Sequence, residues 1–115
     1  MLKRFINIKL HGLRVTKANL EYEGSLGVDM DILVKAGLHP GELILVANIN
    51  NGHRFYTYLI AEPKQSGTVA LNGAAARLGE VNDRLIVMSE VLLTPQEIDH
   101  YEMKVLKFDP KNSII

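Results

Sequence analysis

The sequence predicts a small all-β domain, a barrel or sandwich, on three observations. About six apolar or alternating segments are separated by turn signals at short intervals, only two short stretches read as helix, and 115 residues suffice for one core. Hydrophobic residues at 47% and charged residues at 23% match ordinary globular composition, so the chain can bury that core.

The elements follow in chain order. Ile6, Ile8 and Leu10 alternate with Asn7, Lys9 and His11, which puts the polar side chains on one face of an N-terminal strand. Beyond Gly12 the apolar side passes to Leu13 and Val15, a change of parity that predicts a bulge or bend at the glycine. Between Asn19 and Asp29 the string Tyr22-Glu23-Gly24-Ser25-Leu26-Gly27 is too rich in glycine for a helix and reads as an ordered loop or broken strand. A short helix starts from Asp29 or Asp31, carries Ile32, Leu33 and Ala36, and stops at Gly37. His39-Pro40-Gly41-Glu42 fits a type II turn. A strand over 43–49 and another over 54–61 flank Asn51-Gly52, a hairpin signal because both residues tolerate positive φ. A turn at 64–67, a short strand at 68–71, a tight connection at 72–76 and a long apolar strand at 84–92 come next. Thr94-Pro95-Gln96-Glu97 then sets an N-cap, a first-position proline and a capping-box glutamate in register for a second short helix, and 105–108 is a last strand.

Composition excludes whole classes of chemistry. No cysteine is present, so there is no thiol nucleophile, disulfide, zinc-thiolate site or iron-sulfur cluster. The four histidines lack the close spacing of a metal pair, so no metal site is expected. Thirteen basic residues balance thirteen acidic ones, which argues against a nucleic-acid or anionic-membrane binder. The N-terminus lacks the pattern of a secretory signal, no apolar run approaches the roughly 20 residues that span a bilayer, and a cytoplasmic protein is expected.

Taken singly, the polar residues have ordinary explanations. Solvent exposure accounts for Lys9 and His11, and a surface ladder accounts for Arg54, Tyr56 and Tyr58, which share one side of their strand with Ile60 while Phe55, Thr57 and Leu59 take the other. Ser25 has only the second half of G-x-S-x-G and no strand-to-helix turn to go with it. Asn72-Gly73-Ala74-Ala75-Ala76 reads as a helix-starting turn, or as small residues that admit a ligand to backbone amides.

Taken together and in order, Lys9-Leu10-His11, Tyr22-Glu23-Gly24-Ser25, Asn51-Gly52 with Arg54, Thr57 and Tyr58, and Asn72-Gly73-Ala74-Ala75-Ala76 resemble bacterial aspartate alpha-decarboxylases, the pyruvoyl-dependent family that makes β-alanine for pantothenate and coenzyme A synthesis. The match extends to about Leu92; His53 and Tyr56 stand where other polar residues are expected, and the stretch after Tyr101 matches weakly. The resemblance implies a six-stranded double-psi β-barrel with two or more short helices, assembled as a homotetramer with active sites between subunits.

The resemblance also implies a single domain, 1–115, that cuts itself between Gly24 and Ser25 into 1–24 and 25–115. Ser25 would attack the Gly24 carbonyl and end as a covalent pyruvoyl group, which forms a Schiff base with the amine of L-aspartate and serves as electron sink for loss of the α-carboxylate. Thr57 is implied as donor to the oxygen that becomes negative during cleavage, with Tyr22, His11 and Asn72 as helpers in positioning or proton transfer. Tyr58 is implied as the proton donor to carbon, Lys9 and Arg54 as the contacts for the two substrate carboxylates, and Gly73, Ala74 and Ala75 as backbone contacts. Simple alternation sets Thr57 on the face opposite Arg54 and Tyr58, so either a bulge or a loop-facing Thr57 must reconcile their roles. Two other classes stay open: a β-barrel binding or assembly module that never cuts itself, and a single-strand nucleic-acid barrel, which the charge balance disfavours. Any accessory maturation protein lies beyond the reach of the sequence.

Overall fold

A computed structural model describes residues Met1–Ile115. The chain forms β1 (Lys3–Arg14), β2 (Lys17–Asn19), β3 (Ser25–Asp29), α1 (Met30–Ala36), β4 (Leu43–Asn48), β5 (Arg54–Glu62), β6 (Val69–Asn72), a 3₁₀ helix (Gly73–Leu78), β7 (Arg84–Leu93), α2 (Pro95–Ile98) and β8 (Lys104–Lys107). All eight strands join one sheet in the order β2-β6-β3-β5-β4-β7-β1-β8. Laid flat, eight strands would span about 34 Å. Yet Leu10 of β1, Val87 of β7, Leu59 of β5 and Leu71 of β6 meet in one buried cluster, so the sheet curls around a single core.

The all-β expectation holds, with differences that have local causes. The parity change at Gly12 is a bulge, seen as a register shift between His11 and Leu13 against β7. A second shift, between Ile6 and Ile8, has no sequence signal. The segment expected as loop or broken strand contains β3, five residues buried throughout between β5 and β6. Gly27 and Ser25 hid it, because a strand covered on both faces shows no polar alternation.

At the Asn51-Gly52 turn only Gly52 takes positive φ (79°); the Asn48 amide donates to the His53 carbonyl, giving a wider loop than a two-residue hairpin. The tight connection after β6 is a 3₁₀ helix. Asp29, and not Asp31, caps α1. Its carboxylate accepts from the amides of Asp31 (2.8 Å), Gln65 (3.1 Å) and Gly67 (2.9 Å), which ties the helix to the 65–67 turn and pins the C-terminal end of β3. The capping box at Thr94 and Glu97 forms as the sequence predicts. No helix is long and apolar enough to cross a membrane.

Candidate active site

β3 starts at Ser25, directly after the turn that ends at Gly24, and its antiparallel register pairs Ser25 with Asn72 at the end of β6. Both residues are 2% exposed. The Ser25 hydroxyl donates to the Glu23 carbonyl (3.2 Å) and accepts from the Asn72 side-chain amide (3.1 Å). The hydroxyl oxygen is thereby held beside the peptide bond that precedes it, with one donor and one acceptor in use.

Gly73 explains why this corner is built of small residues. It has φ of 63°, and a Cβ there would stand 2.6 Å from the Gly24 nitrogen, 2.7 Å from the Gly24 Cα and 2.7 Å from the Tyr22 carbonyl oxygen. Only glycine lets the start of the 3₁₀ helix press against the 22–24 backbone. Ala75 is buried behind it and Ala74 faces solvent.

Tyr58 comes to the same place from β5. The parallel β3–β5 ladder pairs Leu26 with Leu59, which sets Ser25 level with Tyr58. The two line a groove with Tyr22, Glu23 and Ile60, and Tyr58 is 40% exposed, its phenol open to an incoming molecule. Thr57 lies on the opposite face with Phe55 and Leu59. β4 and β5 pair without a register shift from Arg54 to Tyr58, so no bulge turns Thr57 outward. Thr57 makes no side-chain hydrogen bond to Gly24 or Ser25.

Lys9, His11 and Arg54 are elsewhere. The ladders run Arg54–Ala47–Ile86–His11 and Tyr56–Leu45–Met88–Lys9 across β5, β4, β7 and β1. Three strand spacings separate β1 from β5, about 14 Å. All of these residues share the outer face of the sheet with Tyr58, but within one chain none of Lys9, His11 and Arg54 lines the Ser25–Tyr58 groove. One chain thus assembles Tyr22, Gly24, Ser25, Tyr58, Asn72 and Gly73, and leaves its cations apart on the same surface.

Sequence reasoning missed two features nearby. The Tyr56 hydroxyl donates to the Glu90 carboxylate, which is also paired with Arg4 (Nε to Oε1, 2.9 Å). That hydrogen bond raises the Tyr56 pKa above the ordinary phenol value, with desolvation and the Glu90 charge adding to it and Arg4 opposing. Glu62 lies folded over Gly27. Partners on strands distant in sequence carry no local signal, so only the identities of these residues were legible beforehand.

A protein-family model described as aspartate decarboxylase matches residues 1–115. Among curated proteins, the chain is similar to an aspartate 1-decarboxylase of Acaryochloris marina, 45% identical over 115 residues that cover 100% of this chain and 88% of the relative. It is also similar to one from Staphylococcus aureus (44% identical, 100% of this chain and 91% of the relative) and one from Neisseria meningitidis (46% identical, 99% and 90%).

Proposed function

The chain belongs to the aspartate decarboxylase family, and on that premise we propose that it processes itself at Gly24–Ser25 and removes the α-carboxylate of L-aspartate to give β-alanine and CO2. As a carboxy-lyase it would supply β-alanine for pantothenate synthesis. The observation that carries the processing step is the buried hydrogen bond from Asn72 to the Ser25 hydroxyl, directly after Gly24.

Processing needs a hydroxyl aimed at a peptide carbonyl and a means of tolerating the charge that develops on the carbonyl oxygen. Ser25 is held by Asn72 and the Glu23 carbonyl, and the Gly73 contact crowds the 22–24 backbone. Thr57 is the donor proposed for the Gly24 oxygen, with Tyr22 and His11 as helpers. Cleavage would divide the single domain into 1–24 and 25–115.

The residues around position 25 fit a pyruvoyl group made there: a buried serine, a preceding glycine, and a glycine at 73 whose missing Cβ lets the 3₁₀ helix pack directly against the 22–24 backbone. Such a group supplies an electrophilic carbonyl that accepts the electron pair released as CO2 departs. Tyr58, level with position 25, is the residue that would supply the proton to carbon. Lys9 and Arg54 hold the two carboxylates, Arg54 through its planar fork, and the backbone at Gly73, Ala74 and Ala75 closes the pocket.

Because Lys9 and Arg54 stand away from Ser25 within one chain, the reading requires them from a neighbouring copy, in keeping with the sites between subunits of a homotetramer that the family resemblance implies. The outer sheet face suits such packing, with Leu43, Tyr56 and Tyr58 exposed there.

Denaturing mass spectrometry of the purified chain tests this. Two pieces breaking between 24 and 25, and one intact chain for Ser25→Ala, are expected. A chain that stays whole under every maturation condition would instead mark a non-processing binding or assembly module.

A further inference from the structure

β5 and β6 flank β3 on opposite sides, yet Glu62 of β5 lines the same cleft as Ala70 and Asn72 of β6 and Lys17 of β2. Its side chain therefore crosses β3, and the crossing point is Gly27: a Cβ there would stand 2.9 Å from both the Cγ and the Cδ of Glu62 and closer still to a carboxylate oxygen. The cleft, about 140 Å³, is also lined by Asn72, the residue that holds the Ser25 hydroxyl. Glu62 accepts no side-chain hydrogen bond, and Lys17, although it lines the same cleft, forms no ion pair with it; the ion pair of this chain is Arg4–Glu90.

Backbone phase decides what that carboxylate faces. The Asp29 amide donates to the Thr68 carbonyl at 2.9 Å, and antiparallel bonding repeats at every second residue, so the Ser25 amide nitrogen is aimed at β6 on the cleft side of β3. Gly27 and Ser25 also share one face of the strand. The free carboxylate thus lies on the side to which the Ser25 nitrogen points.

We infer that Glu62, seated across Gly27, is the counter-charge for the amine set free at Ser25 when the chain processes itself. The inference rests on the self-processing reading. In that step the Ser25 hydroxyl oxygen bonds to the Gly24 carbonyl carbon, the Gly24–Ser25 C–N bond breaks, and the hydroxyl proton passes to the departing nitrogen. The new amine then takes a second proton from the buffer, because an α-amino group with pKa near 8 is mostly ammonium at pH 7. An amide is intrinsically favoured over an ester, so stabilising the ammonium pulls the exchange toward the ester that goes on to eliminate. The Lys17 ammonium, which lines the same cleft, opposes this effect, and the Tyr22 phenol lines it as well.

The test is the population of ester in full-length precursor, read by quenching with hydroxylamine, which releases residues 1–24 as a hydroxamate distinguishable by mass from the spontaneous product. Glu62→Gln is expected to lower the trapped fraction about tenfold, and Glu62→Asp to restore part of it. Gly27→Ala should act like Glu62→Gln, because a methyl group there evicts a flexible side chain and leaves both the carboxylate and the strand in the protein. Equal trapping in Glu62→Gln and the unaltered chain, within a factor of two, would overturn the inference. If the unaltered chain gives neither ester nor cleavage, it is the self-processing reading that fails.

Discussion

The Asn72 side-chain amide donates a 3.1 Å hydrogen bond to the Ser25 hydroxyl across the first rung of the β3–β6 ladder, in a setting where each residue is 2% exposed. Two residues 47 positions apart are thereby fixed at hydrogen-bonding range by strand register. Asn72→Ala should cost about 1–2 kcal/mol of stability, the range for a lost buried partner. It should slow appearance of the 1–24 and 25–115 fragments by at least tenfold, measured by mass spectrometry over time, and processing at the unaltered rate would remove Asn72 from its proposed role.

Gly73→Ala combines strain at positive φ with a Cβ driven into the Gly24 nitrogen at 2.6 Å. A loss of about 2–4 kcal/mol is expected in urea unfolding, together with loss of cleavage, because the 22–24 backbone must move off the Ser25 hydroxyl. Ala74→Gly, on the exposed side of the same 3₁₀ helix, should leave cleavage intact.

Tyr58→Phe separates the two halves of the proposed chemistry. Its phenol is level with Ser25 but makes no hydrogen bond to it, so the variant should still yield both fragments. Turnover of L-aspartate should drop by two orders of magnitude or more, the scale of losing a positioned proton donor. Loss of cleavage together with turnover would make Tyr58 a processing residue instead.

Tyr56 has its pKa raised, first by the hydrogen bond it donates to Glu90. A group whose folded-state value lies above its unfolded one stabilises the fold below the unfolded value, here the ordinary 10.0, and loses that contribution as pH climbs through the raised value. Glu90→Gln should bring the Tyr56 titration down toward 10.0 in a spectrophotometric titration, and Tyr56→Phe should flatten the alkaline fall in stability.

Glu97 shows the opposite sign. The Thr94 backbone amide, and then the Thr94 hydroxyl, hold its carboxylate below the ordinary 4.5, so its contribution is present above that value and is lost as pH falls through the lowered one. Glu97→Gln should remove that pH dependence, so that the difference from the unaltered chain shrinks in acid, as followed by thermal melting at a series of pH values.

The sequence by itself determined the all-β class, the bulge at Gly12, the cap at Thr94 and the family. Those depend on neighbours in the chain: alternation, turn chemistry, and strings such as Tyr22-Glu23-Gly24-Ser25 whose order is the signal. β3 was harder to see because a strand buried on both faces and containing Gly27 has no polar side to alternate with. Only the tertiary structure decided which of the named residues meet. Ser25 finds Asn72 and Tyr58 through strand register, Glu62 reaches the cleft because Gly27 has no side chain, and Lys9 and Arg54 stay apart by three strands of a curled sheet. Pairing between distant strands obeys the packing of the whole core, and no local stretch of residues carries that information.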